Sequence, residues 1–318
     1  MLAVVIPVYN EAKQIRGNIG HIQKLLEQSN IVYSFILIDD GSSDNTWGEL
    51  MHLTEAYPGI HAIRLSRNFG KEAALCAALE KADGDAFLIM DADLQHPPEL
   101  IPEMERLWRE EGYDVVEGVK ESRGREPLPK RLGALIFYKF FKKSTGIDLD
   151  AASDFKLLDR KVMEAWRRMP EYNTFFRGMS AWLGFRRVQL PFVVQERKAG
   201  ETKWSLWALV RLATHSITSY TSLPLYAVAG LGVALLICAI VLSIQTLLSK
   251  FLGSAQTGFT TVIILLLFIG SCIMMSLGII GIYISRIYEE TKRRPRYIIQ
   301  EQQMSHSNTS HAKKLDID

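Results

Sequence analysis

Cysteine is scarce in this 318-residue chain, and the three that occur lie far apart. Cys76, Cys238 and Cys272 form no CxxC pair and show no Cys/His ligand spacing, so neither a disulfide framework nor a zinc site is predicted. The chain also lacks the GxGxxG and GxxxxGKS/T sequences, which excludes the usual dinucleotide and P-loop fingerprints. The chemistry must therefore be sought in other residue patterns.

The N-terminal part of the chain, residues 1–206, also has no excess of positive charge. The first 206 residues hold 28 Lys/Arg and 30 Asp/Glu, whereas the remainder holds only nine and five. A nucleic-acid binder would need a broad cationic face, and a front domain with this balance cannot provide one. We therefore predict a soluble, near-neutral front domain of residues 1–202 and a largely apolar back part.

Two long stretches contain no Asp, Glu, Lys or Arg: the residues between Arg211 and Lys250 and those between Lys250 and Arg286. Each exceeds the roughly 20 residues that a membrane-spanning helix needs. We place the helices at about 225–248 and 259–285, within a transmembrane region of residues 224–286. Basic residues follow the second helix closely, so both termini are expected in the cytoplasm. The segment 287–318 is interpreted as a basic juxtamembrane stretch and, after Gln300, a disordered tail.

Two further segments have helical apolar spacing and are candidates for helices that lie in the membrane interface. The first spans residues 203–223 and carries Trp204 and Trp207 near one end. The second, KRLGALIFYKFFKKS, begins at Lys130 and combines one apolar face with five cations. For this second segment an ordinary amphipathic helix packed on the domain core explains the pattern about equally well.

The front domain alternates short apolar runs with helical patterns. The runs predicted as strands are Leu2–Ile6, Phe35–Ile38, Ala62–Leu65, Phe87–Met90 and Val115–Val116. Such alternation indicates an α/β fold, with a mostly parallel sheet and helices on both faces. Ligands of these sheets bind at the carboxyl ends of the strands, and the polar clusters of this sequence follow the predicted strands directly.

The fourth of these clusters, DADLQHPPE, begins at Asp91 and contains an Asp-x-Asp pair. Such pairs are common in solvated surface turns, but this one follows the apolar run Phe87–Met90. Carboxylates at a strand end suit a hard divalent cation, Mg²⁺ or Mn²⁺, that also binds phosphate oxygens. The pair therefore predicts a site for a diphosphate.

Taken in order, VVIPVYNE, DDGSSDNT, RNFGKEAAL, DADLQHPPE, SDFKLLDR and ERKAGETKWS, followed by two apolar helices, resemble the polyprenyl-phosphate glycosyltransferases. These enzymes belong to glycosyltransferase family two and have a GT-A fold. The resemblance covers residues 1–296 and is strongest to the bacterial bactoprenol glucosyltransferases. It implies inverting transfer of one sugar, with glucose from UDP-glucose the best match, to undecaprenyl phosphate in the bacterial inner membrane. Related enzymes also imply a homo-oligomer such as a tetramer.

The resemblance assigns roles motif by motif. The nucleoside of the donor would be held by Pro7, Tyr9, Glu11, Asp39 and Asp40. The metal and the donor diphosphate would lie among Asp91, Asp93 and Gln95. Arg197 and Lys203 would close over that diphosphate. The lipid phosphate would be received by Lys120, Arg123, Arg125, Lys130 and Arg131.

Asp154 occupies the position at which this family offers a candidate base. A phosphate monoester is largely dianionic at pH 7 and scarcely needs one, so we favour an orienting or charge-balancing role for Asp154. The metal and Arg197 would instead stabilise the leaving diphosphate, which is the difficult part of the reaction. Ser153 and Asp154 also precede an apolar run, which is typical of a helix N-cap.

Three alternatives stay open at the level of sequence. The donor could carry mannose, N-acetylglucosamine or an amino-arabinose derivative in place of glucose. A processive polysaccharide synthase shares the core, but it usually has more spans and a QxxRW motif, which this chain lacks. A non-catalytic protein that binds lipid phosphate is the third alternative, and it leaves the acidic constellation unexplained.

Overall fold

The structure is a computed structural model. It describes residues 1–120, 142–143, 153–169, 171–172, 175–192, 221–251 and 258–305. The chain divides into a sheet unit, formed by Met1–Thr202 with Arg294–Asp318, and a helical unit, Lys203–Arg293. Both predicted interfacial helices fall almost wholly outside the described residues.

The sheet unit contains one eight-stranded sheet in the order β7-β5-β6-β4-β1-β2-β3-β8. Its strands are β1 (Leu2–Val8), β2 (Tyr33–Asp39), β3 (Ile60–Leu65), β4 (Ala86–Ile89), β5 (Val115–Lys120), β6 (Lys156–Asp159), β7 (Arg187–Phe192) and β8 (Ile299–Met304). The helices are α1 (Ile15–Gln28), α2 (Thr46–Ala56), α3 (Lys71–Lys81), α4 (Ile101–Arg109), α5 (Arg160–Arg167) and α6 (Phe176–Trp182). Strands β4, β1, β2 and β3 run parallel to one another and form the centre.

These central strands are buried on both faces, which explains why their sequences are continuous apolar runs. On one face, alternate β1 residues such as Val4 and Ile6 share a core cluster with α1, α2 and α4. The other β1 residues, Ala3 and Val5, are fully buried too, and α3 contacts β1 and β2. The predicted α/β fold, with a mostly parallel sheet and helices on both faces, is therefore confirmed.

The parallel register brings four strand ends to one edge of the sheet. Val8 is paired with Asp39, and Asp39 with Arg64 on the next strand. On the other side of β1, Val5 is paired with Ile89 at the end of β4. The loops that follow β1, β2, β3 and β4 therefore meet at this edge, where the sequence placed its polar clusters.

The helical unit contains α7 (Leu223–Phe251) and α8 (Phe259–Thr291) within its described residues. The two long apolar helices predicted at 225–248 and 259–285 are thus present and somewhat longer than expected. Windows within them, Leu223–Leu242 and Phe268–Thr291, have mean hydropathies of 2.7 and 1.9. By length and composition alone, each helix is able to cross a membrane.

The prediction of a disordered tail after Gln300 is wrong for residues 301–304. Residues 299–304 form β8, which pairs antiparallel with β3 at the edge of the sheet. The sequence IQEQQM is polar because the strand covers an edge and both of its faces are largely exposed. Composition therefore suggested disorder, while the unpaired backbone groups of β3 provide the reason for order.

Candidate active site

Asp39, the last residue of β2, is fully buried at the carboxyl edge of the sheet. Its Oδ1 accepts a hydrogen bond of 2.9 Å from the backbone N–H of Ser42. Its Oδ2 lies 3.3 Å from Nε of Arg64, but in the described part of the chain neither atom has a hydrogen-bond partner. Oδ2 therefore forms an ion pair with Arg64 but lacks a hydrogen-bond donor, which an N–H from a ligand at this edge would supply.

Asp40, the neighbouring residue, supports a loop instead. Its carboxylate accepts hydrogen bonds from the backbone N–H groups of Phe69 (2.8 Å) and Gly70 (2.9 Å), and the residue is only 3% exposed. Burial raises the pKa of Asp40, while these two N–H groups act in the opposite direction. The structure thus places Asp40 beneath the loop after β3, where it fixes the start of α3.

The glycine after Asp40 is required by close packing. Gly41 has φ of +64°, and a Cβ there would lie 2.4 Å from the backbone carbon of Arg67. Any side chain would therefore push apart the loops that follow β2 and β3.

The loop after β1 is tied to the loop after β2. The backbone N–H groups of Asn10 and Glu11 donate to the hydroxyls of Ser42 and Thr46, each over 2.9 Å. The carboxylate of Glu11 accepts from the Gln14 amide. Pro7 is half-buried, whereas the Tyr9 ring is 46% exposed at this edge. Tyr9 thus follows Val8, the residue paired with Asp39, and its ring is accessible to a ligand at this edge.

The Asp-x-Asp pair lies in the loop directly after β4. Asp93 accepts hydrogen bonds from the backbone N–H of Gln95 (3.1 Å) and from its side-chain amide (2.6 Å). His96 is buried, stacks on Phe155 with ring centroids 5.1 Å apart, and accepts from the N–H of Asp91 over 3.3 Å. The three predicted residues Asp91, Asp93 and Gln95 therefore lie together on one loop, which the buried His96 stabilises.

Asp154 lies at the centre of a charged cluster. Lys71 Nζ is 2.6 Å from Asp91 Oδ1 and 2.8 Å from Asp154 Oδ2, so it bridges two predicted site residues. The guanidinium of Arg177 donates two hydrogen bonds to the same Asp154 carboxylate, of 2.7 and 2.8 Å. We call Lys71, Asp154 and Arg177 the carboxylate clamp. Its Lys71 contacts the Asp-x-Asp loop directly, and its Arg177 is joined to Lys71 through Asp154.

The clamp also determines the protonation state of Asp154. Burial would raise its pKa, but the hydrogen bonds and charges of Arg177 and Lys71 outweigh that effect and hold the pKa well below its usual value. A carboxylate this acidic is a weak base at neutral pH. The apolar run after Asp154 is strand β6, so the helix N-cap interpretation is wrong, and the N-cap of the next helix is Asp159.

Glu72, next to Lys71, is a buried acid that links two helices. Its carboxylate accepts a hydrogen bond of 2.8 Å from the backbone N–H of Phe176, the first residue of α6. Burial raises the pKa of Glu72 to about 7, and the Phe176 N–H and the charge of Arg177 oppose that shift only in part. Glu72 therefore anchors the turn that presents Arg177.

A second, fully buried ion pair lies below the clamp. Lys156 Nζ is 2.8 Å from Glu117 Oε1 and donates to Ser180 Oγ over 2.7 Å. Ser180 in turn donates to the backbone oxygen of Arg177 over 3.1 Å. Burial lowers the pKa of Lys156, and the Glu117 charge opposes this shift. The pair thus connects strand β6 to α6, because Lys156 binds Ser180 and Ser180 binds the backbone of Arg177.

The residues present fit a divalent cation that shares its ligands with a diphosphate. Among the described residues, no group of three or more His, Cys, Asp or Glu side chains could hold a metal ion alone. Mg²⁺ typically takes one or two carboxylates and completes its shell with phosphate oxygens and water. Asp91 and Asp93 supply such carboxylates.

Six predicted cationic residues cannot be placed, because they lie outside the described residues: Arg197, Lys203, Arg123, Arg125, Lys130 and Arg131. Lys120 ends β5, and only its backbone is described. Conversely, sequence reasoning did not single out Lys71, Glu72 or Arg177. Lys71 follows the third strand within RNFGKEAAL and was thus at a strand end, whereas Arg177 lies on a short helix that no sequence pattern connected with the site.

The chain is similar to known proteins over most of its length. Residues 3–167 match the family described as Glycosyl transferase family 2. An uncharacterized glycosyltransferase of Synechocystis is 38% identical over 300 residues, 94% of each chain. A bactoprenol glucosyl transferase of Shigella phage SfV is 33% identical over 94% of this chain and 97% of that one. A mannosyltransferase of Pyrobaculum calidifontis, solved with GDP-Man and Mn²⁺, has 19% identity and a TM-score of 0.46, covering 66% and 60% of the two chains. This chain therefore belongs to glycosyl transferase family 2.

Proposed function

We propose that this protein transfers a single glucose, with inversion, from UDP-glucose to a polyprenyl phosphate such as undecaprenyl phosphate. The observation that carries the proposal is the carboxylate clamp, because its Lys71 contacts Asp91 of the Asp-x-Asp pair while Arg177 binds the same Asp154 carboxylate as Lys71. The relative named as a bactoprenol glucosyl transferase, similar over 94% of this chain, supports the same acceptor and sugar.

The donor base is proposed to bind at Asp39. Its Oδ1 already accepts a hydrogen bond from the Ser42 N–H, and its Oδ2 is in ion-pair contact with Arg64 but lacks the hydrogen-bond donor that a ligand would supply. Uracil has one ring N–H, which a single acceptor satisfies. Guanine presents a ring N–H and an adjacent amino group, which together favour two acceptors, so the site suits uracil better. Pro7, Tyr9 and Glu11 complete this part of the proposed site, with Asp40 supporting it from below.

The donor diphosphate is proposed to lie over Asp91, Asp93 and Gln95. Mg²⁺ or Mn²⁺ held by these residues would supply positive charge next to the leaving group. Lys71 and Arg177 add to that charge from the sheet edge, and Arg197 and Lys203 are proposed to add to it from the segment that precedes the apolar helices. Preorganised cations of this kind stabilise charge as it develops in the transition state.

The bond changes need no protein base. An oxygen of the lipid phosphate forms a bond to the anomeric carbon, while the bond from that carbon to the diphosphate oxygen breaks and UDP leaves. No proton has to move, because the acceptor phosphate is largely dianionic at pH 7. Asp154 is proposed to keep Lys71 and Arg177 in position, a role that its low pKa favours over that of a base.

The acceptor head group is proposed to bind the cations that follow the fifth strand. The segment 118–143 holds eight Lys/Arg and two Glu, and it includes Lys120, Arg123, Arg125, Lys130 and Arg131. A polyprenyl phosphate keeps its tail in the bilayer, so cations at the membrane surface must receive its head group.

We further propose that α7 and α8 span the bacterial inner membrane, with the sheet unit and both termini in the cytoplasm. The pairing of β8 with β3 supports this arrangement. Residues on either side of the helical unit belong to one sheet, so the chain between them must cross the membrane an even number of times. A homo-oligomer such as a tetramer is part of the same proposal.

The function is tested with purified protein, Mg²⁺, undecaprenyl phosphate and a panel of UDP- and GDP-sugars. We expect one sugar-modified lipid in the mass spectrum, with the mass of a hexose, from UDP-glucose alone. The product should disappear with EDTA and in Asp93→Asn, while lipid binding persists. A product from another donor would correct the sugar, and lipid binding without any product would favour a non-catalytic protein.

A further inference from the structure

The loop that carries the Asp-x-Asp pair has a strained backbone. Leu94, which follows the second aspartate, has a φ of +55°, in the left-handed region that leucine rarely adopts. Such a conformation costs free energy and persists only where surrounding contacts fix it. The Leu94 side chain provides one such contact, since it packs against the buried core cluster. The loop therefore depends on its neighbours to keep its two carboxylates in place.

Hydrogen bonds within the loop fix part of its shape. The N–H of Asp91 donates to Nδ1 of His96 over 3.3 Å. The carboxylate of Asp93 accepts from the backbone N–H and the side-chain amide of Gln95, over 3.1 and 2.6 Å. These bonds orient the two aspartates, but none of them involves the carbonyl of Ala92, which lies between the two. The direction of that carbonyl is set from outside the loop.

Asn18 on α1 binds this carbonyl. Its side-chain amide donates a hydrogen bond of 2.7 Å to the backbone oxygen of Ala92. Ala92 is only 6% exposed, so its oxygen would be poorly satisfied without this donor. The carbonyl belongs to the peptide unit that joins Ala92 to Asp93. A rotation of that unit would turn the Asp93 side chain relative to Asp91, so Asn18 restrains the geometry of the pair.

The position of Asn18 follows from the course of α1. This helix begins shortly after β1, so its first turn lies near the carboxyl edge of the sheet, and Asn18 is in that turn. One turn further along the helix, Nε2 of His21 lies 3.4 Å from Oε1 of Glu99, a residue that follows the Asp-x-Asp loop. Asn18 and His21 therefore lie against successive parts of the segment after β4, and it is Asn18 that binds within the Asp-x-Asp sequence.

We infer that Asn18 is a positioning residue for the divalent cation: by holding the Ala92 carbonyl, it sets the relative direction of the Asp91 and Asp93 carboxylates. The inference rests on the proposed function, in which these carboxylates bind Mg²⁺ or Mn²⁺ together with the donor diphosphate. Mg²⁺ tolerates little departure from octahedral geometry, so a small rotation of one carboxylate lowers its affinity. Asn18 acts through the backbone and is not itself a metal ligand.

The test measures UDP binding by calorimetry on the full-length protein in detergent, over a series of Mg²⁺ concentrations and in EDTA. Loss of a residue that orients a metal ligand typically lowers metal affinity by about 10- to 100-fold. For Asn18→Leu, which removes the donor at similar size, the Mg²⁺ concentration that gives half of the metal-dependent gain in UDP affinity should rise about tenfold. The affinity for UDP in EDTA should stay unchanged, because the base is held elsewhere.

Matched variants separate this effect from a general loss of structure. Asn18→Ala should give the same shift as Asn18→Leu, whereas His21→Ala, which alters the next contact of the same helix, should bind UDP like the wild type under both conditions. An unchanged Mg²⁺ requirement in both Asn18 variants, or an equal loss of UDP affinity with Mg²⁺ and with EDTA in both, would overturn the inference while the proposed function stands. A wild type that binds no uridine nucleotide under either condition would overturn both.

Discussion

The ammonium of Lys71 lies 2.8 Å from the carboxylate of Asp154 and also contacts Asp91, 2.6 Å away. One side chain from the start of α3 therefore joins the Asp-x-Asp loop to the residue at which the family offers a candidate base. Because Lys71 is bound to carboxylates on both sides, its pKa is raised despite burial, and it remains a cation at neutral pH.

Lys71→Met should lower kcat by about 100-fold or more, as expected when one preorganised group that stabilises developing charge is removed. The control is Lys81→Met at the exposed end of the same helix, which should leave kcat unchanged. Both rates are measured by transfer from labelled UDP-glucose. A Lys71→Met enzyme with wild-type kcat would show that the clamp cations take no part in the reaction.

Asp154→Asn should reduce the transfer rate by the same factor at every pH between 5 and 9. The pKa of Asp154 is depressed, so its stabilising charge is present above the unfolded value and is lost only at strongly acidic pH. The measurement is the pH profile of kcat for both proteins. An acid limb that is present in the wild type and missing in Asp154→Asn would instead identify Asp154 as the base.

Glu72→Gln should increase the stability of the protein, relative to the wild type, more at pH 8 than at pH 5. The pKa of Glu72 is raised to about 7, so its contribution to stability is full below the unfolded value and is lost as pH rises through 7. The gain at pH 8 is at most about 3 kcal/mol. Thermal unfolding at both pH values checks this, with Glu164→Gln as an exposed control. A difference in Tm that does not depend on pH would contradict the assignment.

Lys156→Met should destabilise the sheet unit by about 3–5 kcal/mol, because it leaves the buried charge of Glu117 without a partner. The double variant Lys156→Met, Glu117→Gln should be clearly more stable than Lys156→Met alone. Denaturant unfolding of the wild type, both single variants and the double variant measures the coupling. Additive losses would mean that the two groups do not act as a pair.

The proposed topology is tested by introducing single cysteines into a variant from which the three native cysteines have been removed. A membrane-impermeant maleimide should label Ser254→Cys, between the two apolar helices, in intact cells. It should label Gln302→Cys, on β8, only after the cells are opened. Labelling of both residues from outside would exclude a cytoplasmic sheet unit.

The central sheet could be predicted because each of its strands is an apolar run followed by a polar cluster. β1, β2, β3 and β4 all occur where the runs predicted them, extended by one or two residues at some ends, while β4 ends one residue earlier than predicted. The same pattern located Asp39, Asp91 and Asp93, since residues at the carboxyl ends of neighbouring parallel strands meet at one edge.

The remaining features depend on contacts between distant parts of the chain. Arg177 lies on a seven-residue helix, too short to show periodicity, and reaches Asp154 only through the fold. Strand β8, which carries Glu301, is polar because it covers an edge of the sheet, so its sequence cannot be told apart from that of a polar loop. The support that Asp40 gives to Phe69 and Gly70 is likewise invisible until both loops are in place.

The long-range pairing of β3 with β8 also has a consequence for biosynthesis. Ala62 meets Gln303, and the whole helical unit lies between them in the chain. A ribosome must therefore make both apolar helices before it makes the last strand, so the sheet stays open at one edge throughout translation of the helices. Domains dominated by such distant contacts fold slowly. Strand β8 can cover this edge only in chains in which α7 and α8 have already been synthesised, so truncated products should retain an exposed edge that chaperones and proteases recognise.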